Sequence, residues 1–233
     1  PGGFAEYLRI PQINVNRGVF LIPDHVGYDE ASITEPLACV YRGQRRANLP
    51  PGQNVLVLGS GLAGLIHINL ARALGAGRII ATDMVDYRLD AARKLGADVT
   101  FSAMEDVPAR LREANNGRLA DLVIVCTGAL PALHQALESV ERGGTVLFFA
   151  PTAPGVSLPV PINDVFFRND VTLTTTYAGA PADLATAMDM IASGRVQVGE
   201  MISHRLGLAE AGFGFKLTAD AGDSLKVIIQ PQK

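Results

Sequence analysis

Three glycines spaced as Gly-x-Gly-x-x-Gly occur in the segment Gly59-Ser60-Gly61-Leu62-Ala63-Gly64, and the acidic residue Asp83 follows the last of them by 19 positions. Gly59 permits a tight turn, Gly61 lets a phosphate group approach the backbone, and Gly64 allows a helix to pack closely on a strand. An acid at this distance accepts hydrogen bonds from ribose hydroxyls and repels a 2′-phosphate. The pattern predicts a site for a nicotinamide dinucleotide, with NAD favoured over NADP.

The place of this motif in the chain decides its meaning, because glycine supplies 24 of the 233 residues and chance matches occur. The continuous apolar run 55–58 precedes it, as is typical of a central parallel strand, and a helical pattern follows from 62 to 74. The alternative is a structural turn beside a surface Asp83. Arg88 keeps NADP open as the less favoured cofactor, since a basic residue near this loop can receive a 2′-phosphate.

The alternation of strand and helix patterns continues as far as residue 177. We predict six strands in this region, over 55–58, 78–82, 98–101, 121–125, 145–150 and 171–177. We predict the intervening helices over 62–74, 88–95, 107–114 and 131–140. Strands separated by helices imply an α/β fold with an open, doubly wound parallel sheet, which is the Rossmann fold.

The positions that contact the cofactor follow from this topology, because ligands bind outside the carboxyl ends of the strands and at the helix that follows the glycine loop. Besides the glycines and the acid, the candidates are Leu62, Ala63, Thr127, Gly128, Ala150, Pro151, Thr175, Thr176 and Tyr177.

The flanking segments have a different pattern and predict a second domain that is interrupted by the Rossmann domain. Residues 1–36 carry scattered Pro and Gly with strand-like pieces at 4–10 and 19–23. Residues 178–233 predict a helix over 182–193 and strands over 201–206 and 226–229. The expected domains are therefore 1–36, 37–177 and 178–233, with the first and last forming one unit.

Composition excludes several classes of function. A net charge of −3 with mixed signs gives no footprint for nucleic acid, and the apolar runs are far shorter than the roughly 20 residues that span a membrane. The cluster Arg42, Arg45 and Arg46 is interpreted as a solvated helix face rather than a phosphate patch. Two cysteines and four histidines form no motif with zinc spacing, and no disulfide framework is indicated. We expect a cytoplasmic location.

Several segments together resemble the medium-chain, zinc-type alcohol dehydrogenase family, in particular its polyol and threonine dehydrogenase branch. They are Gly2-Gly3-Phe4-Ala5-Glu6-Tyr7, Glu35-Pro36-Leu37-Ala38-Cys39, Pro51-Gly52, the segment Ile202 to Ala211, and the segment Asp223 to Ile228. The resemblance implies a Rossmann domain inserted in a mainly β, GroES-like catalytic domain. It also implies hydride transfer from an alcohol or polyol to NAD, a catalytic zinc, and a homodimer or homotetramer.

The resemblance assigns roles to three further positions. Glu35 falls where the family places a metal-site residue, Lys226 where it has a basic residue that reaches the pyrophosphate, and Arg88 where it has one beside the adenosine ribose. The alternative for Glu35 is a helix-capping acid. The family's Cys ligand, Gly-His-Glu motif and four-cysteine lobe have no counterpart in this sequence, so Glu35 alone cannot hold zinc and no catalytic residue is assigned. We expect the zinc in the full-length parent and an incomplete catalytic site in this chain.

Two other functions remain as alternatives. A dinucleotide-binding sensor or structural subunit without redox activity would need the same glycine loop. A zinc-free quinone or enoyl reductase is disfavoured by Glu35-Pro36 and by Asp83.

Overall fold

The computed structural model describes residues 3–233. The helices are Gln12–Gly18 (α1), Tyr28–Ala31 (α2), Thr34–Arg46 (α3), Leu62–Ala73 (α4), Asp86–Lys94 (α5), Val107–Ala114 (α6), Leu130–Ser139 (α7), Pro181–Ala192 (α8) and Ala211–Asp220 (α9). The strands are Val55–Leu58 (β1), Ile79–Asp83 (β2), Val99–Ser102 (β3), Ala120–Val125 (β4), Val140–Phe148 (β5), Thr172–Thr175 (β6), Ile202–Gly207 (β7) and Lys226–Gln230 (β8).

Contacts divide the chain into two compact units. One unit is Cys39–Ala178, and the other combines Pro1–Ala38 with Gly179–Lys233. We call them the sheet unit and the flanking unit. Helix α3 runs across the boundary between them, since it begins at Thr34 and ends at Arg46.

The sheet unit contains six parallel strands in the order β3-β2-β1-β4-β5-β6. Strand β1 is central: Val55 pairs with Ile79 of β2 on one side and with Leu122 of β4 on the other. The chain starts in the middle of the sheet, builds outward to β3, and then returns to build the other half from β4. This order reverses at β1 and β4, which is the position where ligands bind in doubly wound folds. The predicted Rossmann fold is confirmed.

The core of the sheet unit explains why these strands are continuous apolar runs. All four residues of β1 are buried, because helices cover both faces of a parallel sheet. One cluster packs side chains of the strands against helices α6 and α7, and it includes Leu56, Ile80, Leu111, Val123 and Leu133. Burial of each such side chain contributes about 1.5–3 kcal/mol to the free energy of folding relative to leaving it exposed.

Capping side chains and glycines set the ends of several helices of the sheet unit. Asp106 caps α6, because its carboxylate accepts a hydrogen bond from the Ala109 N–H at 3.1 Å. Gly75 and Gly96 follow the ends of α4 and α5 with positive φ angles of 81° and 119°, a conformation that favours glycine. The predicted helix over 107–114 coincides with α6.

Two predicted strands of the sheet unit differ from the observed ones by more than one residue at an end. Strand β5 begins at Val140 rather than at 145, because Val140 already pairs with Ala120 before a register shift in β4. Strand β6 is limited to Thr172–Thr175, because its pairing with β5 ends at the Phe148 and Thr175 pair. A π-helical turn over Asn163–Phe167 lies between these two strands and was not predicted.

The flanking unit contains helices α1, α2, α8 and α9 and one two-stranded sheet in which β7 pairs with β8 in parallel. The prediction of strand-like pieces in its N-terminal part is wrong. The strand-like pieces at 4–10 and 19–23 have no regular structure, and 12–18 is helical. A strand is stable only where a neighbour takes up its backbone groups, and residues 3–233 place no strand alongside these pieces.

Within residues 3–233, no helix is both long enough and apolar enough to cross a bilayer.

Candidate functional site

The glycine loop joins β1 to α4 and has the geometry that its sequence predicts. Gly59 has a φ angle of 94°, which disfavours any side chain. A Cβ atom on Gly64 would lie 1.9 Å from the Gly59 carbonyl oxygen, so only glycine lets α4 pack this closely on the loop. A Cβ atom on Gly61 would have no neighbour nearer than Arg88 Nη1 at 3.9 Å, which leaves open space over the loop.

The start of α4 offers backbone donors to this open space. The cap residue is Gly61, and no side chain caps the helix. Leu62 and Ala63 are the first two residues of α4, and N–H groups in the first turn of a helix have no partner within the helix. Together with the partial positive charge of the helix end, these groups suit a phosphate. The residues of this loop therefore fit the pyrophosphate of a dinucleotide.

Asp83 ends β2 beside this loop and is only 8% exposed. One carboxylate oxygen accepts a hydrogen bond from the Ser60 N–H at 2.8 Å, and the other accepts from the Val85 N–H at 3.0 Å. These bonds fix the carboxylate at the carboxyl end of β2. A fixed negative charge at this place suits the ribose hydroxyls of an adenosine and disfavours a 2′-phosphate.

Arg88 lies on α5, in the turn that follows Asp83. Its guanidinium reaches the loop at Gly61, as the 3.9 Å approach of Nη1 to the Cβ position shows. Its Nε atom is buried and has no hydrogen-bond partner. A buried donor without a partner is unfavourable, and an anionic group over the loop would relieve it. The structure thus brings together Gly59, Gly61, Leu62, Ala63, Gly64, Asp83 and Arg88.

A second group of predicted residues lies at the carboxyl ends of β5 and β6. They line a cavity of about 770 Å³, which is large enough for part of a small organic ligand. The predicted residues in its wall are Ala150, Pro151, Thr175, Thr176 and Tyr177. Residues that were not predicted also line it, namely Arg46, Leu133, Phe148, Phe149, Thr152, Val156 and Leu158.

Thr127 and Gly128 connect the two groups. A Cβ atom on Gly59 would lie 3.4 Å from the Thr127 Cβ, so Thr127 adjoins the glycine loop. A Cβ atom on Gly128 would lie 2.4 Å from the Pro151 carbonyl oxygen, so Gly128 adjoins the cavity wall. The loop, Thr127 and Gly128, and the cavity therefore form one continuous path along the carboxyl edge of the sheet.

Ser60 and Arg46 are two of the residues in this region that the sequence-based reasoning missed. Ser60 was only a variable position of the motif, yet it is fully buried and bonded to Asp83. Nothing in the sequence marks it, because the bond depends on the meeting of two strand ends. Arg46 was assigned to a solvated helix face; it is exposed but also lines the cavity. Its signal was the basic cluster at the end of a predicted helix.

A buried histidine lies behind the cavity wall. The edge-to-face ring contact of His67 with Phe149 has a centroid separation of 4.6 Å, and Gln44 Nε2 lies 3.1 Å from His67 Nδ1. Gln44 Nε2 also donates to the His67 carbonyl oxygen at 2.8 Å, so we assign an acceptor role to Nδ1. Burial lowers the pKa of His67 from 6.5 to about 3, so this side chain is neutral at physiological pH.

The remaining two predicted site residues belong to the flanking unit. Glu35 is exposed in the first turn of α3, and Lys226 is the first residue of β8. Within residues 3–233, no three or more His, Cys, Asp or Glu side chains are grouped so that they could hold a metal ion. The described residues therefore fit a dinucleotide but do not by themselves fit a zinc ion.

Comparisons with known proteins show the family of the chain. The family model of the zinc-binding dehydrogenases matches residues 63–193, which is more than half of the chain. D-xylulose reductase A of Aspergillus oryzae is 29% identical over 233 residues, with 98% of this chain and 63% of the relative covered. Sorbitol dehydrogenase of Bacillus subtilis is 29% identical over 238 residues, with 100% of this chain and 64% of the relative covered.

A solved structure is also similar. A zinc-binding dehydrogenase of Sinorhizobium meliloti 1021 bound to NADP superposes with a TM-score of 0.83 at 26% identity, covering 91% of this chain and 62% of that one. The chain thus spans less than two thirds of the length of these relatives. Fold and site define a dinucleotide-binding Rossmann protein. The chain belongs to the zinc-binding dehydrogenase family, and the resemblance seen in the sequence is confirmed.

Proposed function

We propose that the whole protein is an NAD-dependent, zinc-type alcohol or polyol dehydrogenase and that this chain supplies its cofactor-binding half. The observation that carries the proposal is the arrangement of the glycine loop, the uncapped start of α4 and the buried Asp83 at one edge of the sheet. When bound, the nicotinamide would accept a hydride from the alcohol carbon.

Each part of the path along the sheet edge has a role in this proposal. The N–H groups at Leu62 and Ala63 would bind the pyrophosphate, and Asp83 would accept from the ribose hydroxyls. Thr127 and Gly128 would carry the cofactor past the end of β4. Ala150, Pro151, Thr175 and Tyr177 would surround the nicotinamide end in the cavity. Lys226 would add a positive charge for the pyrophosphate.

NAD rather than NADP is proposed because the charge at the end of β2 is negative and fixed. Asp83 is buried, so the charge is poorly screened by water and would repel a 2′-phosphate strongly. Arg88 is the opposing feature, and the Sinorhizobium relative binds NADP. In this chain the guanidinium reaches Gly61, where it would meet the pyrophosphate, which both cofactors share.

We propose zinc binding only for the full-length protein. Glu35 would be one of its ligands, and a carboxylate is chemically suited to that role. Because the described residues contain no group of three metal-binding side chains, we derive no step of the reaction through zinc.

The proposed substrates are small alcohols or polyols, in keeping with the names of the sorbitol and D-xylulose relatives. We also propose a cytoplasmic enzyme that forms a homodimer or homotetramer. Strand β6 supports the oligomer, because it is one of the two edges of the sheet and two of its four residues are exposed. Such an edge can pair with its copy across a two-fold axis.

Calorimetric titration of this chain with NAD and NADP tests the cofactor proposal. We expect NAD to bind at least tenfold more tightly than NADP. Gly61→Val should abolish binding of both, because its side chain fills the space over the loop. Gly18→Val is the matched control, since a Cβ there meets nothing within 4 Å. Absence of binding to either cofactor would contradict the proposal.

Formation of NADH with a panel of polyols tests the reaction. We expect turnover by the full-length, zinc-loaded protein and none by this chain alone. Turnover by this chain alone would show that its chemistry is complete. Binding of NAD without turnover by the full-length protein would favour the sensor or structural subunit.

A further inference from the structure

The end of β2 holds the glycine loop through three hydrogen bonds that need no cofactor. The Gly59 N–H donates to the Thr82 carbonyl oxygen at 3.0 Å, and the Ser60 hydroxyl donates to the same oxygen at 3.1 Å. The Ser60 N–H donates to the Asp83 carboxylate at 2.8 Å. The third bond has a charged acceptor, and such bonds are roughly twice as strong as neutral ones.

Burial makes this connection rigid. Ser60 and Thr82 are at most 1% exposed, and Asp83 is 8% exposed, so water does not compete for these groups. The other Asp83 oxygen accepts from the Val85 N–H two residues ahead, in the manner of an Asx turn. This turn leads directly into α5, which carries Arg88. One carboxylate therefore contacts both the loop and the segment that positions the basic residue over it.

We propose that Asp83 and Ser60 are positioning residues for the phosphate-binding loop, in addition to the role of Asp83 at the ribose. This inference rests on the proposed dinucleotide function and extends it. Replacing Asp83 removes the acceptor that holds the Ser60 N–H, so the loop loses the conformation that presents its N–H groups to the pyrophosphate. The expected consequence is weaker binding of every dinucleotide, rather than an exchange of NAD for NADP.

Ligands with and without ribose hydroxyls separate the two roles of Asp83. We would titrate Asp83→Ala, which removes both acceptor oxygens, and the unmodified chain with NAD and with an NAD analogue whose adenosine ribose lacks its 2′ and 3′ hydroxyls. Asp83→Ala should weaken binding of the analogue at least tenfold, and NADP should not gain affinity. Unchanged affinity for the analogue would overturn the proposal, because it would limit Asp83 to ribose contacts.

Ser60→Ala provides a second, milder variant that leaves Asp83 intact. It removes the bond from the hydroxyl to Thr82 and should weaken NAD and the analogue by the same factor, about two- to fivefold. Equal affinities of Ser60→Ala and the unmodified chain for both ligands would count against a positioning role of Ser60. Asp86→Ala is the matched control for Asp83→Ala, since Asp86 is an exposed acid in the first turn of α5 and its loss should leave both affinities unchanged.

Amide hydrogen exchange in the ligand-free chain tests the same bond without a cofactor. The Ser60 amide should exchange at least tenfold faster in Asp83→Ala than in the unmodified chain and in Asp86→Ala. Equal exchange rates would overturn the proposal even if the binding results agreed with it. If the unmodified chain bound neither ligand, the proposed function would fail, and the exchange rates would still decide whether Asp83 positions the loop.

Discussion

The sheet unit and the N-terminal part of the flanking unit contain similar kinds of apolar residues but place them in opposite ways. In the sheet unit, every residue of β1 and β2 is buried. In residues 4–22 of the flanking unit, ten large apolar side chains are exposed, and α1 contains no buried residue. Burial rather than apolar content determines stability. The sheet unit therefore has a core that its own residues complete, and it carries the predicted cofactor site.

The largest expected effect compares one leucine from each region. Leu56 of β1 is 0% exposed within the main cluster, whereas Leu21 is 94% exposed. Leu56→Ala should lower the free energy of unfolding by about 2–5 kcal/mol, because it removes buried methyl groups and leaves a cavity. Leu21→Ala should change it by less than about 0.5 kcal/mol. Urea unfolding followed by circular dichroism measures both, and equal effects would contradict the contrast between the regions.

The second comparison uses two glycines in the first turns of helices. Gly212 of α9 has open space at its Cβ position, so Gly212→Ala should stabilise the protein by up to about 1 kcal/mol through helix propensity. In Gly64→Ala the new Cβ meets the Gly59 carbonyl oxygen, and the loop must shift. We expect a loss of about 1–3 kcal/mol together with weaker NAD binding. Thermal unfolding measures the changes in stability, and calorimetry measures NAD binding. If Gly64→Ala stabilised the protein instead, the loop would be able to shift without cost.

The strands and helices of the sheet unit could be predicted well because the local sequence patterns agree with the way these elements pack in the fold. The run 55–58 is apolar without alternation because β1 is covered on both faces, and glycines follow where α4 and α5 end. The flanking unit could not be predicted in the same way. Residues 4–10 carry apolar and β-prone side chains, but pairing with another strand is a long-range property that a local pattern does not contain.

Single residues of the candidate site show the same limit of prediction from local sequence patterns. The loop glycines and Asp83 have fixed spacing within one strand-helix-strand unit, and the sequence identified them. The buried contact of Ser60 with Asp83 and the approach of Arg46 to the cavity depend on how strand ends and α3 pack together. The roles of Glu35 and Lys226 were inferred from the family resemblance alone, and they stay predictions.

The smallest expected effect, that between pH 7 and 6, compares a buried histidine of the sheet unit with an exposed one of the flanking unit. His67 is 0% exposed, and its pKa is lowered by burial to about 3, while an unfolded chain binds the proton near pH 6.5. A depressed folded-state pKa means that the stability present above pH 6.5 is lost as the pH falls toward 3. We expect a loss of less than about 1 kcal/mol between pH 7 and 6, which steepens toward about 1.4 kcal/mol per unit below.

Unfolding free energies measured across this pH range test the assignment. His67→Leu should remove this part of the pH dependence, because the buried site then carries no titrating group. His25→Leu should keep it, because His25 is exposed and contacts only the Ala192 carbonyl oxygen through its ring in the described hydrogen bonds. If His67→Leu unfolded with the same pH dependence as the unmodified chain, proton uptake on unfolding would have to come from other groups. The interior of the sheet unit would then not exclude charge as strongly as its burial implies.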